Sequence, residues 1–89
     1  MSIENLKSIY RSFYEANLVA AEDDYLAYYE RAFAPDSIGL DDLSDPIEVK
    51  DAICHLAEEI YNDTGSEETT REWLINAGAG DDLLAMCDL

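Results

Sequence analysis

Neither proline nor glycine occurs in the first 33 residues, and only two prolines and four glycines occur in all 89. Without those breakers the early chain is free to be helical. Ile3, Leu6, Tyr10 and Phe13 recur at intervals of three and four, the spacing that lines one face of a helix. Tyr25, Tyr29 and Phe33, with Leu26 beside them, repeat the pattern. Glu22, Asp23 and Asp24 fall between the two series, and acids favour a helix start, so the chain is expected to break between Asn17 and Asp24. The stretch from Ala34 to Asp45, with Pro35 and Gly39, predicts a loop.

Asp45, Pro46 and Glu48 then spell a helix start: a capping carboxylate, proline at the first helical position and an acid that could complete a capping box. Val49, Ala52, Ile53, Leu56, Ala57 and Ile60 form the buried stripe of that helix, which should close between Asn62 and Gly65. Ser66 is placed to cap a shorter helix, with Trp73 and Leu74 facing in and Gly78 beyond its end. Asp81 to Leu89 should add one or two turns capped by Asp81. No run alternates as a strand would. The prediction is therefore a mainly α fold, a small bundle of four to five helices with residues 1–89 as a single domain.

Charge narrows the function. There are 21 Asp and Glu against 5 Lys and Arg, a net of −16, and residues 34–89 hold 15 of the acids with only Lys50 and Arg71. Direct nucleic-acid binding needs clustered cations, and anionic lipid repels such a surface, so neither nucleic acid nor membrane is expected as a direct partner. No apolar run approaches the roughly 18 residues of a membrane span, and the polar start MSIENLKSIYRSF does not resemble a signal peptide. A cytoplasmic location is expected. Two cysteines without scaffold spacing suit a reducing compartment, while leaving one disulfide open.

Catalysis has little to draw on, and no enzyme activity is expected. His55 is the only histidine, and its neighbour Cys54 points about 100° away on a helix, so the two cannot act as base and nucleophile. Two cysteines and one histidine fall short of a structural zinc site, the calcium-loop pattern is absent, and no glycine-rich phosphate loop occurs. No metal or cofactor is expected. The tyrosines mostly fall on helical stripes and are expected to pack inward. Tyr14 and Tyr28 lie off the main stripe and are candidates for surface contacts.

The carboxylates carry the sharper reading. A salt-adapted chain would also be acidic, but evenly so, whereas residues 1–33 hold six acids and three cations. Carboxylates three or four positions apart on a helix root about 5–6 Å apart, close to the spacing of neighbouring phosphates. Asp41 with Asp45, Asp45 with Glu48, Glu48 with Asp51 and Glu68 with Glu72 have that spacing. The candidate partner-binding residues are therefore Asp41, Asp42, Asp45, Glu48, Asp51, Glu58, Glu59, Glu67, Glu68 and Glu72, acting as phosphate surrogates in the basic groove of a nucleic-acid-binding protein.

The run Asp41-Asp42-Leu43-Ser44-Asp45-Pro46-Ile47-Glu48-Val49-Lys50-Asp51-Ala52-Ile53, with Ala57 following, resembles the early acidic helix of the Ocr family of phage anti-restriction proteins. Those proteins are small acidic helical dimers that mimic bent DNA, and the resemblance covers some twenty residues of the 89. It implies an inhibitor of a restriction enzyme, or of a CRISPR effector as for other small acidic phage proteins, working in the host cytoplasm. A homodimer would lengthen the mimic, with Tyr14, Tyr28 or Leu89 at the contact. Two other readings stand beside it. Asp36-Ser37-Ile38 resembles the Asp-Ser-Leu motif of acyl carrier proteins, which would make Ser37 the attachment site of phosphopantetheine. An immunity protein or antitoxin covering a basic toxin would use the same electrostatics.

Overall fold

A computed structural model of the chain describes residues 2–89. Ser2 opens the first helix, its hydroxyl accepting from the Asn5 N–H at 3.2 Å. The helices are α1 (Ile3–Ala20), α2 (Asp23–Ala32), α3 (Pro46–Thr64), α4 (Glu67–Asn76) and α5 (Asp81–Met86), with a short 3₁₀ turn at Leu40–Asp42. No strand occurs among the described residues, so the fold is the small α bundle that the periodicity predicts.

Local chemistry accounts for most boundaries. The break after α1 sits at Ala21, in extended conformation, and Asp23 and Asp24 occupy the first turn of α2, where the helix dipole favours them. Asp45 caps α3 by accepting from the Ile47 N–H at 2.9 Å, and Pro46 follows it. Glu48 stays exposed and adds no bond to the cap. At the far end Gly65 takes φ 67°, and its N–H reaches the Tyr61 carbonyl at 2.8 Å. Ser66 caps α4 through the Thr69 N–H at 3.1 Å. The last helix differs from expectation: Gly80 holds the cap position and Asp81 is the first helical residue. The Asp81 charge still lies at the favoured end of the dipole.

α1 packs most extensively against α3, and α4 packs against both. Leu6, Tyr10 and Phe13 of α1, Tyr29 of α2, Leu40 of the 3₁₀ turn, Val49, Ile53, Leu56 and Ile60 of α3, and Leu74 of α4 form the fully buried centre. Trp73 is half-buried against it. The buried face of α1 is wider than one stripe, extending over Leu6, Lys7, Ile9, Tyr10, Phe13, Tyr14 and Asn17. Two helices and the 33–45 loop cover it. Tyr14 is therefore in the core, not on the surface as its off-stripe position suggested, while Tyr25 is 47% exposed despite lying on a predicted stripe.

Buried polar groups tie the loop to α1. The Tyr10 hydroxyl donates to the Phe33 carbonyl, and the Lys7 ammonium, on a residue only 6% exposed, donates to the Asp41 carbonyl at 3.1 Å. Cys54 of α3 and Cys87 beyond α5 form a disulfide with Cα atoms 4.8 Å apart, where the sequence reading favoured reduced thiols. Leu89 is half-buried against the core, so it is not the free apolar group that a dimer contact would need. No helix is long and apolar enough to cross a membrane among the described residues.

Candidate partner-binding surface

The outer face of α3 is set by the inner one. With Val49, Ile53, Leu56, Ala57 and Ile60 turned inward, 3.6-residue periodicity leaves Glu48, Asp51, His55, Glu58 and Asn62 outward and Glu59 on the flank. From Asp45 to Glu59 these acids extend over about 21 Å of helix. Asp42, Asp45, Glu48, Asp51 and Glu58 are exposed, as are Glu67, Glu68 and Glu72 on α4.

Three of the ten sequence-predicted residues are engaged within the molecule: Asp45 through its cap on α3, and Asp41 and Glu59 through side-chain partners on other elements. Asp41 forms an ion pair with Arg11, the only one among the described residues, and its carbonyl receives Lys7. Its negative charge is thus compensated before any partner arrives. Glu59 is half-buried, and its Oε1 accepts from the Tyr28 hydroxyl at 2.5 Å. The nine candidates other than Asp41 make no ion pair. They form a distributed face, and no group of three His, Cys, Asp or Glu among the described residues is arranged to hold a metal ion.

Two clefts flank the C-terminal half of α3. One, of about 480 Å³, has the Cys54–Cys87 disulfide and Ala57 in its wall with Glu58, Tyr61, Glu67 and Asp88 around it. It brings together Glu58 and Glu67, which the sequence places on separate helices. The second, of about 220 Å³, lies between Tyr25, Tyr28 and Tyr29 of α2 and Glu59, Asn62 and Asp63 of α3. Asn62 borders both clefts, so they are the two flanks of one ridge.

Tyr25, Tyr61, Asp63 and Asp88 were not among the predicted site residues. Tyr25, Tyr28 and Tyr29 do carry a legible signal, since positions i, i+3 and i+4 share a helix face. What they face is not legible locally. Tyr28 keeps its proton to higher pH than free tyrosine, first because it donates to Glu59, then through burial. Burial acts first on Tyr29, and the Asp63 carboxylate pushes in the same direction.

The features of other chemistries are differently placed. His55 is exposed with its ring 5.8 Å from that of Phe33, and Cys54 is occupied in the disulfide. Ser37 lies in the turn that follows α2, and its hydroxyl donates to the Glu30 carbonyl at 3.1 Å. No protein-family model matches the chain, and neither does any curated protein or solved structure.

Proposed function

We propose that the chain is a non-enzymatic inhibitor whose acidic α3 and α4 surface takes the place of a nucleic-acid backbone in the basic groove of another protein. The observation that carries this reading is the uncompensated charge: of 21 carboxylate side chains, one is ion-paired among the described residues. A surface of 5230 Å² bearing −16 has one net charge per roughly 330 Å², against roughly 110 Å² for duplex DNA, and gathering the acids of residues 34–89 on one side narrows that gap. The long dimension of 33 Å is close to one turn of duplex at about 34 Å, so a single chain can cover about ten base pairs without a dimer. The Ocr resemblance suggests a restriction enzyme or CRISPR effector as the class of target.

The carrier reading has less support. A carrier presents its serine at the start of a helix, whereas Ser37 lies within a turn with its hydroxyl bonded to the main chain.

The test uses duplex DNA on a solid support loaded with lysate from the source organism or its host. The protein should release a discrete set of bound proteins that poly-glutamate at equal charge does not release. Asp51→Lys combined with Glu58→Lys should abolish release, and Ser37→Ala should leave it unchanged. Release equal to that by poly-glutamate, or release indifferent to the charge reversals, would show the reading to be wrong.

A further inference from the structure

The geometry points to the 220 Å³ cleft between α2 and α3 as a receptor for one arginine side chain of a partner protein, a proposal that rests on the acidic-inhibitor reading only for the source of the arginine. Its walls are aromatic. Tyr28 and Tyr29 stand edge to face, with centroids 5.6 Å apart and planes at 63°, and Phe33 holds the Tyr28 ring from behind at 6.0 Å. Two rings at such an angle form a corner. Tyr29 is only 1% exposed and backs this corner from within, so the aromatic surface open to a ligand is that of Tyr28 and Tyr25. Tyr25, one turn earlier on the same face of α2, is half exposed and borders the opening.

The opposite wall is anionic. Glu59 and Asp63 are one turn apart on α3, and neither has a cation partner among the described residues. Their existing bonds are one-sided: Tyr28 donates to Glu59 Oε1, and Tyr29 donates to Asp63 Oδ2 at 3.3 Å. The second oxygen of each carboxylate receives no protein donor. Tyrosine hydroxyls that donate to carboxylates also hold the aromatic and anionic walls in fixed relation.

Tyrosine faces and paired carboxylates both select a cation, through the ring quadrupole and through charge. A planar guanidinium can lie along an aromatic face while its edges donate to two carboxylates about 5–6 Å apart at their roots. An ammonium is a compact point charge and uses the same walls less fully. The volume is below the roughly 300 Å³ of ordinary organic-ligand sites, which suits a single side chain. Grooves that bind nucleic acid are rich in arginine, so the cleft would give a diffuse electrostatic contact one fixed anchor.

The experiment is a titration followed through the tyrosine ring resonances by NMR, using N-acetyl-arginine methylamide, the lysine analogue and the apolar norleucine analogue. Saturable shifts at Tyr25 and Tyr28 are expected with the arginine compound, binding roughly three- to fivefold weaker with lysine, and no saturation with norleucine. Tyr25→Ala, at an exposed position, and Glu59→Gln, which retains an acceptor for Tyr28, should each weaken arginine binding roughly fivefold. Glu15→Gln, a loss of equal charge on the outside of α1, should not. Equal affinity for the arginine and norleucine compounds, or shifts indifferent to Tyr25→Ala and Glu59→Gln, would overturn the proposal. Failure of the arginine compound to bind while proteins are still released from DNA would reject this cleft and leave the inhibitor reading standing. Arginine binding without any release would do the reverse.

Discussion

Tyr10, Tyr14, Tyr28 and Tyr29 all hold their phenolic protons more tightly than the ordinary value of 10.0, for reasons that differ residue by residue. Burial comes first for Tyr10, Tyr14 and Tyr29, and the bond to Glu59 comes first for Tyr28. Because their pKa values are raised in the folded state, the native chain binds more protons than the unfolded chain once pH exceeds 10. Stability must then fall as pH rises through that window. Urea unfolding should show a stable plateau below pH 10 and a decline above it. Tyr10→Phe should flatten the decline while costing about 1–3 kcal/mol near neutrality, because the Phe33 carbonyl loses its buried donor. A slope unchanged by this substitution would assign the alkaline loss to other groups. The same residues show what a sequence conceals: Tyr14 and Tyr25 exchange their expected places because the number of elements covering a helix is not a local property. Tyr14 lies under the packing around α1, whereas Tyr25 projects from the less covered α2.

Element boundaries were legible where a single residue's chemistry sets them, as at Asp45, Gly65 and Ser66, and less so at α5, where Gly80 took the cap position. Gly65 allows a direct test. A Cβ there would meet nothing within 4 Å, so Gly65→Ala should cost only the left-handed backbone penalty, roughly 1–2 kcal/mol, measured as a shift in the urea midpoint at constant slope. A smaller effect would mean that the chain leaves α3 by another route. The Cys54–Cys87 bond is not legible in the sequence because it joins residues 33 positions apart, and their meeting depends on how α5 folds back on α3. Closing such a loop stabilises by about 3–4 kcal/mol in the chain-entropy model. Dithiothreitol, or Cys87→Ala, should therefore lower the thermal midpoint and speed amide exchange in α5 before α1. Uniform exchange throughout the chain would show that α5 is held by Leu83 and Leu84 without the bond. The candidate surface was legible to a similar degree. The outward acids of α3 follow from periodicity, but the Arg11–Asp41 pair and the Tyr28–Glu59 bond, which withdraw Asp41 and Glu59 from the candidate surface, connect residues about thirty positions apart.

At the scale of the whole molecule the same charges must act in opposite directions on folding and on binding. At 0.01 M salt the screening length is about 30 Å, close to the 33 Å length of the bundle, so nearly every carboxylate repels nearly every other. At 0.1 M it is about 10 Å, and only neighbours remain coupled. Only one ion pair offsets this repulsion among the described residues, so screening should stabilise the fold. Each kcal/mol recovered corresponds to roughly 4–8 °C in the midpoint of a domain this size. The thermal midpoint should therefore rise by several degrees between 0.01 and 0.3 M sodium chloride. Binding to a basic groove draws on the unscreened field, so its affinity should fall over the same range, chiefly through slower association. Neutralising Asp51 and Glu58 together, as Asp51→Asn and Glu58→Gln, should raise the low-salt midpoint and weaken the complex at once. A midpoint that fell with salt would mean that attractive pairs dominate the surface. An affinity that held constant would mean that apolar contacts, such as those available at Tyr61 and Met86 beside the larger cleft, carry the association instead of charge.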